Sequence, residues 1–127
     1  MLIIFTLDFP VIITITSSGP AAEEYPYLMG DYKPENTKTA QLRKVYKKRD
    51  GDYYIFYDSK FYYEDKVGVK MFIISGAGYW IVGADITEDS GWLVSEEKGL
   101  LTPPRTGWQY ADGTGTWPSD DTLQLIF

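Results

Sequence analysis

Apolar positions in this chain come in short runs broken by glycine, proline or charged clusters, and no segment sustains a 3.6-residue apolar period. The clearest run is Tyr53-Tyr54-Ile55-Phe56-Tyr57, which follows Arg43-Lys44-Val45-Tyr46-Lys47-Lys48 across Asp50-Gly51. An Asp-Gly step between strand-like runs predicts a β-hairpin with a two-residue type I′ turn, because that turn needs φ > 0 at both central positions. Bulky β-formers at every position from Tyr53 to Tyr57 predict a strand with little solvent on either face. Tyr79-Trp80-Ile81-Val82-Gly83 has the same character and is expected to pair beside it.

The rest of the chain reads as short strands and turns. Met1 to Thr16 is the most apolar stretch; two strands, about 2–7 and 11–16, are expected, with Pro10 at the break. A signal peptide fits less well, since no basic residue precedes the apolar run and Asp8 and Pro10 interrupt it. The stretch is too short and too interrupted for a transmembrane helix. Ser17-Ser18-Gly19-Pro20 predicts a turn, Tyr25–Tyr32 a short irregular strand, and Pro34–Thr39 a polar loop. Ala40-Gln41-Leu42 has room for one helical turn. Val69 to Ile74 predicts a strand and Ser75-Gly76-Ala77-Gly78 a hairpin loop. Gly91–Ser95, Gly107–Tyr110 and Leu123–Ile126 complete the set. About eight to ten short strands with a turn signal every 8–12 residues predict an all-β fold, an antiparallel sandwich or small barrel. Residues 1–10 are expected to form an N-terminal strand or extension, and residues 11–127 a single β domain.

Composition narrows the function classes. The chain has 127 residues, is 44% hydrophobic and 17% aromatic, and has a formal net charge of −6. That charge argues against nucleic acid and against an anionic membrane as partner. The basic run Arg43–Arg49 is most simply a solvated strand face. Cysteine and histidine are both absent, which removes disulfide scaffolds, Cys/His zinc sites, Cys nucleophiles and Ser-His-Asp triads. Acid–base chemistry is left to Asp, Glu, Lys or Tyr. Among eighteen acidic residues some carboxylate pair can always be drawn, so pairing alone carries no weight. Gly76-Ala77-Gly78 and Gly113-Thr114-Gly115 lack a Walker lysine and a following helix. No enzymatic activity and no cofactor are expected.

Three constellations remain. Asp112-Gly113-Thr114-Gly115-Thr116 with Asp120-Asp121 offers oxygen ligands for calcium, but without EF-hand spacing, and an Asx-type turn explains it more simply. Trp108, Gln109, Tyr110, Asp112 and Trp117 contain the parts of a carbohydrate site: aromatic faces for sugar stacking and polar groups for hydroxyls. Each Trp taken singly is more simply a core residue. Leu2, Ile4, Phe5, Leu7 and Phe9 lie on a strand-like segment whose only charge is Asp8, and such a strand could pair with a neighbouring subunit's sheet edge. The expected function is therefore a binding module for a glycan or protein ligand; the alternative is a self-assembling homo-oligomeric subunit.

The landmarks Ser17-Ser18-Gly19-Pro20-Ala21-Ala22, Leu28-Met29-Gly30-Asp31-Tyr32, Val45-Tyr46-Lys47, Asp50-Gly51 with Tyr53–Tyr57, Trp80–Gly83, Gly91-Trp92-Leu93, Trp108-Gln109-Tyr110 and Trp117 with Asp121-Thr122-Leu123 follow one another along the chain. In this order they resemble a small β module of animal, especially marine invertebrate, multidomain proteins. The resemblance covers residues 11–127, with Ser59–Ile74 as an addition. It implies an accessory module and nothing more; an extracellular or secreted setting is a separate expectation.

Overall fold

The computed structural model describes residues 10–40, 43–64, 70–88 and 90–127. Eight strands form one antiparallel sheet: β1 (Ile13–Thr16), β2 (Gly30–Ala40), β3 (Arg43–Lys48), β4 (Tyr54–Glu64), β5 (Lys70–Gly83), β6 (Leu93–Ser95), β7 (Trp108–Tyr110) and β8 (Gln124–Ile126). Their order, β7-β6-β5-β4-β3-β2-β1-β8, is a meander whose last strand returns beside the first. The two ends of the sheet then nearly meet. The Leu125 amide in β8 donates to the Arg105 carbonyl just before β7 at 2.9 Å, and the Tyr110 amide donates to Pro118 at 3.0 Å. The result is a small, nearly closed barrel, which leaves few open strand edges.

Alternation along the strands builds two apolar layers. Inside the barrel lie Ile13, Ile15, Tyr32, Tyr46, Ile55, Tyr57, Trp80, Val82, Leu93, Trp108 and Leu125. Outside it, Ala40, Val45, Tyr54, Phe56, Ile81 and Val94 form a second cluster covered by Tyr79, Ile86 and Trp117. The unbroken apolar run in β4 follows from this. Ile55 and Tyr57 point inward, Tyr54 and Phe56 outward, and both faces are buried. The expected partner is also found, with Ile55 opposite Val82 and Tyr57 opposite Trp80.

One barrel end is covered by the link between β1 and β2. Pro20 starts a short helix, α1 (Pro20–Glu24), where its missing amide costs nothing. Pro26–Leu28 adds a 3-10 turn. Ala21 and Leu28 are fully buried in the barrel mouth. Asp120, itself buried, holds this cover in place. Its carboxylate accepts from the Ser17 hydroxyl at 2.8 Å, the Ala21 amide at 3.0 Å, and the Thr122 amide and hydroxyl at 2.9 and 2.6 Å. Burial pushes the Asp120 carboxyl up, but these donors together outweigh it and hold the group below its ordinary value. The Ser-Ser-Gly-Pro landmark and Asp120, the residue before the Asp-Thr-Leu landmark, are distant in sequence and are thus two halves of one hydrogen-bonded joint.

Several local expectations are corrected. Asp50-Gly51 is not a two-residue type I′ turn: the Lys48 amide donates to the Tyr53 carbonyl at 2.9 Å across a four-residue loop, and Gly51 is not in the left-handed region. Lys48 pairs with Asp50 within that loop and supports the longer turn. Pro34–Thr39 belongs to β2 rather than to a loop, with a register shift between Pro34 and Thr39 where proline supplies no amide to the ladder. Ser75–Gly78 lies inside β5, not in a hairpin turn. The pairing jumps from Asp58↔Tyr79 to Lys60↔Ile74, so four residues bulge opposite Ser59. Gly78 is required there, since a Cβ would lie 2.2 Å from the Asp58 carbonyl oxygen. Ser17–Pro20 leads into α1, and Tyr25–Tyr32 is the 3-10 turn and the start of β2. The strand expected at 2–7 lies outside the described residues, as do Gln41 and Leu42. No helix among the described residues is long and apolar enough to cross a membrane.

Candidate functional site: an aromatic cap on one barrel end

Aromatic rings from three separate segments meet over the covered end of the barrel. Tyr25 and Tyr27 come from the α1 and 3-10 segment, Tyr53 from the β3–β4 loop and Trp92 from the residue before β6. Tyr27 is the hub. Its ring centre lies 6.1 Å from Tyr25, 5.3 Å from Tyr53 and 5.9 Å from Trp92. Trp92 also stands 6.3 Å from Tyr25 and 5.7 Å from Tyr53. Most of these contacts are tilted or edge-to-face, the arrangement favoured by the ring quadrupoles. Tyr27 is 43% exposed, while the other three are half-buried against the barrel core.

The backbone fixes these rings. The Trp92 amide donates to Val82 at 2.8 Å and its carbonyl accepts from Ala111 at 2.9 Å. Gly91 lies so close to β5 that a Cβ would sit 2.3 Å from the Ile81 side chain, which explains the Gly-Trp-Leu landmark. The Tyr25 hydroxyl donates to the Ala111 carbonyl and ties the cap to the loop after β7. Burial raises the Tyr25 hydroxyl's pKa, with further contributions from Glu24, Tyr27 and Asp112; burial, Tyr53 and Glu24 do the same for Tyr27. Both phenols therefore stay neutral donors at physiological pH.

Beside Trp92 runs a cleft of about 300 Å³ lined by Ala84, Asp85, Glu88, Ser90 and Gly91. It continues through Ala84 and Asp85 into a larger one of about 720 Å³ that reaches Lys38, Asp52 and Tyr54. Asp85 accepts from the Thr87 amide at 2.8 Å and hydroxyl at 2.6 Å, and these bonds lower its pKa. The cap thus offers ring faces next to carboxylates and hydroxyls.

The residues expected from sequence are placed differently. Trp108 is 1% exposed, inside the barrel, with its indole N–H on the Pro104 carbonyl at 2.8 Å. A ring with no solvent face cannot stack on a ligand, so Trp108 is a core residue. Tyr110 packs half-buried against the same core, whereas Trp117 packs against the outer cluster. Gln109 bridges to Ser119. Asp112 accepts from the Thr114 amide at 2.8 Å and from the Thr114 and Thr116 hydroxyls, which brings its pKa down to about 2. Its oxygens serve the loop's own donors, as an Asx-type turn requires. Among the described residues no group of three or more acidic side chains converges on a metal position. Leu2, Ile4, Phe5, Leu7 and Phe9 lie outside the described residues.

Sequence reasoning missed the cap. Its signals were Tyr25-Pro26-Tyr27, read as part of a short irregular strand, and the Gly91-Trp92-Leu93 landmark, but three segments had to be brought together before they made one surface. Comparison with known protein families, with curated proteins and with solved structures finds no match to this chain.

Proposed function

We propose that this protein is a non-enzymatic binding module that takes a glycan through the Tyr25, Tyr27, Tyr53 and Trp92 cap. The observation that carries the reading is the clustering itself: four interlocked rings, led by a 43%-exposed Tyr27, beside the cleft of Asp85, Glu88 and Ser90. The apolar C–H face of a sugar ring stacks on such rings, and its hydroxyls donate to carboxylates and accept from serine or tyrosine hydroxyls. The cap is tied down by Asp120 and by the Tyr25 hydroxyl, so little ordering is lost when ligand arrives. Among the described residues the carboxylates with a clear shift, Glu35, Asp50, Asp85, Asp112 and Asp120, move downward, whereas a general acid at neutral pH needs the opposite.

A glycan array probed with the wild-type chain and with Tyr27→Ala and Trp92→Ala tests this. Wild-type signal should fall about tenfold or more in either variant, which is a loss of about 1.4 kcal/mol. Trp117→Ala, on the outer cluster, should leave it unchanged. Wild-type signal that survives both cap substitutions refutes the assignment, and an array with no signal moves the cap to a protein ligand.

A further inference from the structure

A second surface, which shares no residue with the cap or its clefts, is lined by cations. On the outside of β1–β3, Lys33, Lys44 and Arg49 line a cleft of about 570 Å³. Among the described residues its lining carries three cations and no carboxylate, in a chain whose net charge is −6. Beside the cations the lining is Pro10, Val11, Ile12, Pro34 and Asn36, apolar except for the last. Val11 is 76% and Ile12 39% exposed, so this wall faces water in the isolated chain. The register shift after Pro34 interrupts the β2–β3 ladder at the same place. Among the described residues Asp31 is the carboxylate paired with Arg49. Asp31 lies 3.9 Å from Arg49, a long contact between half-exposed groups, and it also accepts from the Thr14 hydroxyl at 2.7 Å. It leaves most of the Arg49 donor fork to other acceptors.

We propose that this cleft binds an extended acidic peptide, with carboxylates on Lys33 and Arg49 and an apolar side chain against Val11 and Ile12. Charge complementarity selects the class. Cations at several points along an open cleft suit several carboxylates on one chain better than a lone carboxylate, which would engage one of them. The apolar wall beside the cations suits a ligand whose acidic and apolar residues alternate, as those of an extended strand do. A bilayer fits less well, because its flat surface would not fill a cleft and its negative potential opposes a chain of net charge −6.

The test is fluorescence anisotropy of a fluorescein-labelled peptide of alternating Glu and Leu, titrated with the full chain. Saturable binding is expected. It should weaken steeply as salt rises above about 0.1 M, where exposed charges are screened beyond about 10 Å. Lys33→Ala and Arg49→Ala should each weaken binding about tenfold, as should Ile12→Ser, while Lys33→Arg and Tyr27→Ala retain it. Near-UV circular dichroism checks that the variants stay folded. No binding of the peptide overturns the proposal, as does binding unchanged by salt and by both cation-removing substitutions. Sedimentation with phosphatidylserine vesicles without peptide binding would reassign the face to membrane. Self-association abolished by Ile12→Ser would reassign it to a second copy. Tyr27→Ala is the cap's own test variant, so a failure here is distinct from a failure of the glycan reading.

Discussion

Asp120 joins the two ends of the described chain, and replacing it tests how the barrel mouth is held. In Asp120→Ala the Ala21 amide, buried in the first turn of α1, is left without an acceptor, at a cost of about 1–3 kcal/mol. The Ser17 hydroxyl and the two Thr122 donors are nearer water and can be rehydrated, so their charge-assisted bonds add about 0.5–1 kcal/mol each. The total is about 2.5–6 kcal/mol, a large share of a small domain's stability. Urea unfolding followed by tryptophan fluorescence reads this directly, because Trp80 and Trp108 are buried in the barrel. Asp120→Asn separates charge from shape. The folded carboxyl sits below its ordinary value, so the carboxylate's contribution is present above the unfolded pKa, about 4, and is lost as pH falls through the folded pKa. The gap between wild type and Asp120→Asn should therefore be widest near neutrality and close in acid. A loss below about 1 kcal/mol in Asp120→Ala, or a gap that does not change with pH, would refute the joint.

Two further substitutions probe the scaffold. Gly78→Ala places a Cβ against the Asp58 carbonyl, a backbone atom that cannot swing aside, and should cost at least about 1–3 kcal/mol; an unchanged melting temperature would show that the bulge relaxes freely. Tyr46→Phe removes a buried hydroxyl that has no hydrogen-bond partner among the described residues and should stabilise by up to about 1 kcal/mol. Burial pushes the Tyr46 hydroxyl up to about 12, so wild type should lose stability as pH rises from about 10 through that value. Tyr46→Phe should lose less over the same range, and a melt showing destabilisation at neutral pH would mean that the hydroxyl is satisfied.

Some of this architecture was legible along the chain. Turn spacing and β-branched, aromatic composition pointed to an antiparallel sheet, and the strand count fell in the expected range. Tyr53–Tyr57 beside Trp80–Gly83 was readable because a two-sided apolar run has few places to go. Boundaries were less legible where strands are irregular. Pro34 and Ser75–Gly78 look like loop because proline and glycine weaken a ladder, yet here they sit at register shifts within strands. The Asp50-Gly51 turn lengthened because Lys48, not the glycine, closes the hairpin.

What the sequence determined by itself is the list of permitted chemistries and the alternation that makes a barrel. Absence of histidine and cysteine is a property of composition, and alternation is local, so neither depends on where the chain travels. Which aromatics face water was decided only by the tertiary structure. Trp108 and Trp92 each follow a glycine and look alike in sequence, but the first points into a closing barrel and the second lies at its rim. That difference is set by strand register and by the α1 cover, which Asp120 fastens from the far end of the chain. The basic cleft follows the same logic: Lys33, Lys44 and Arg49 become one surface only when β2 and β3 pair beside β1.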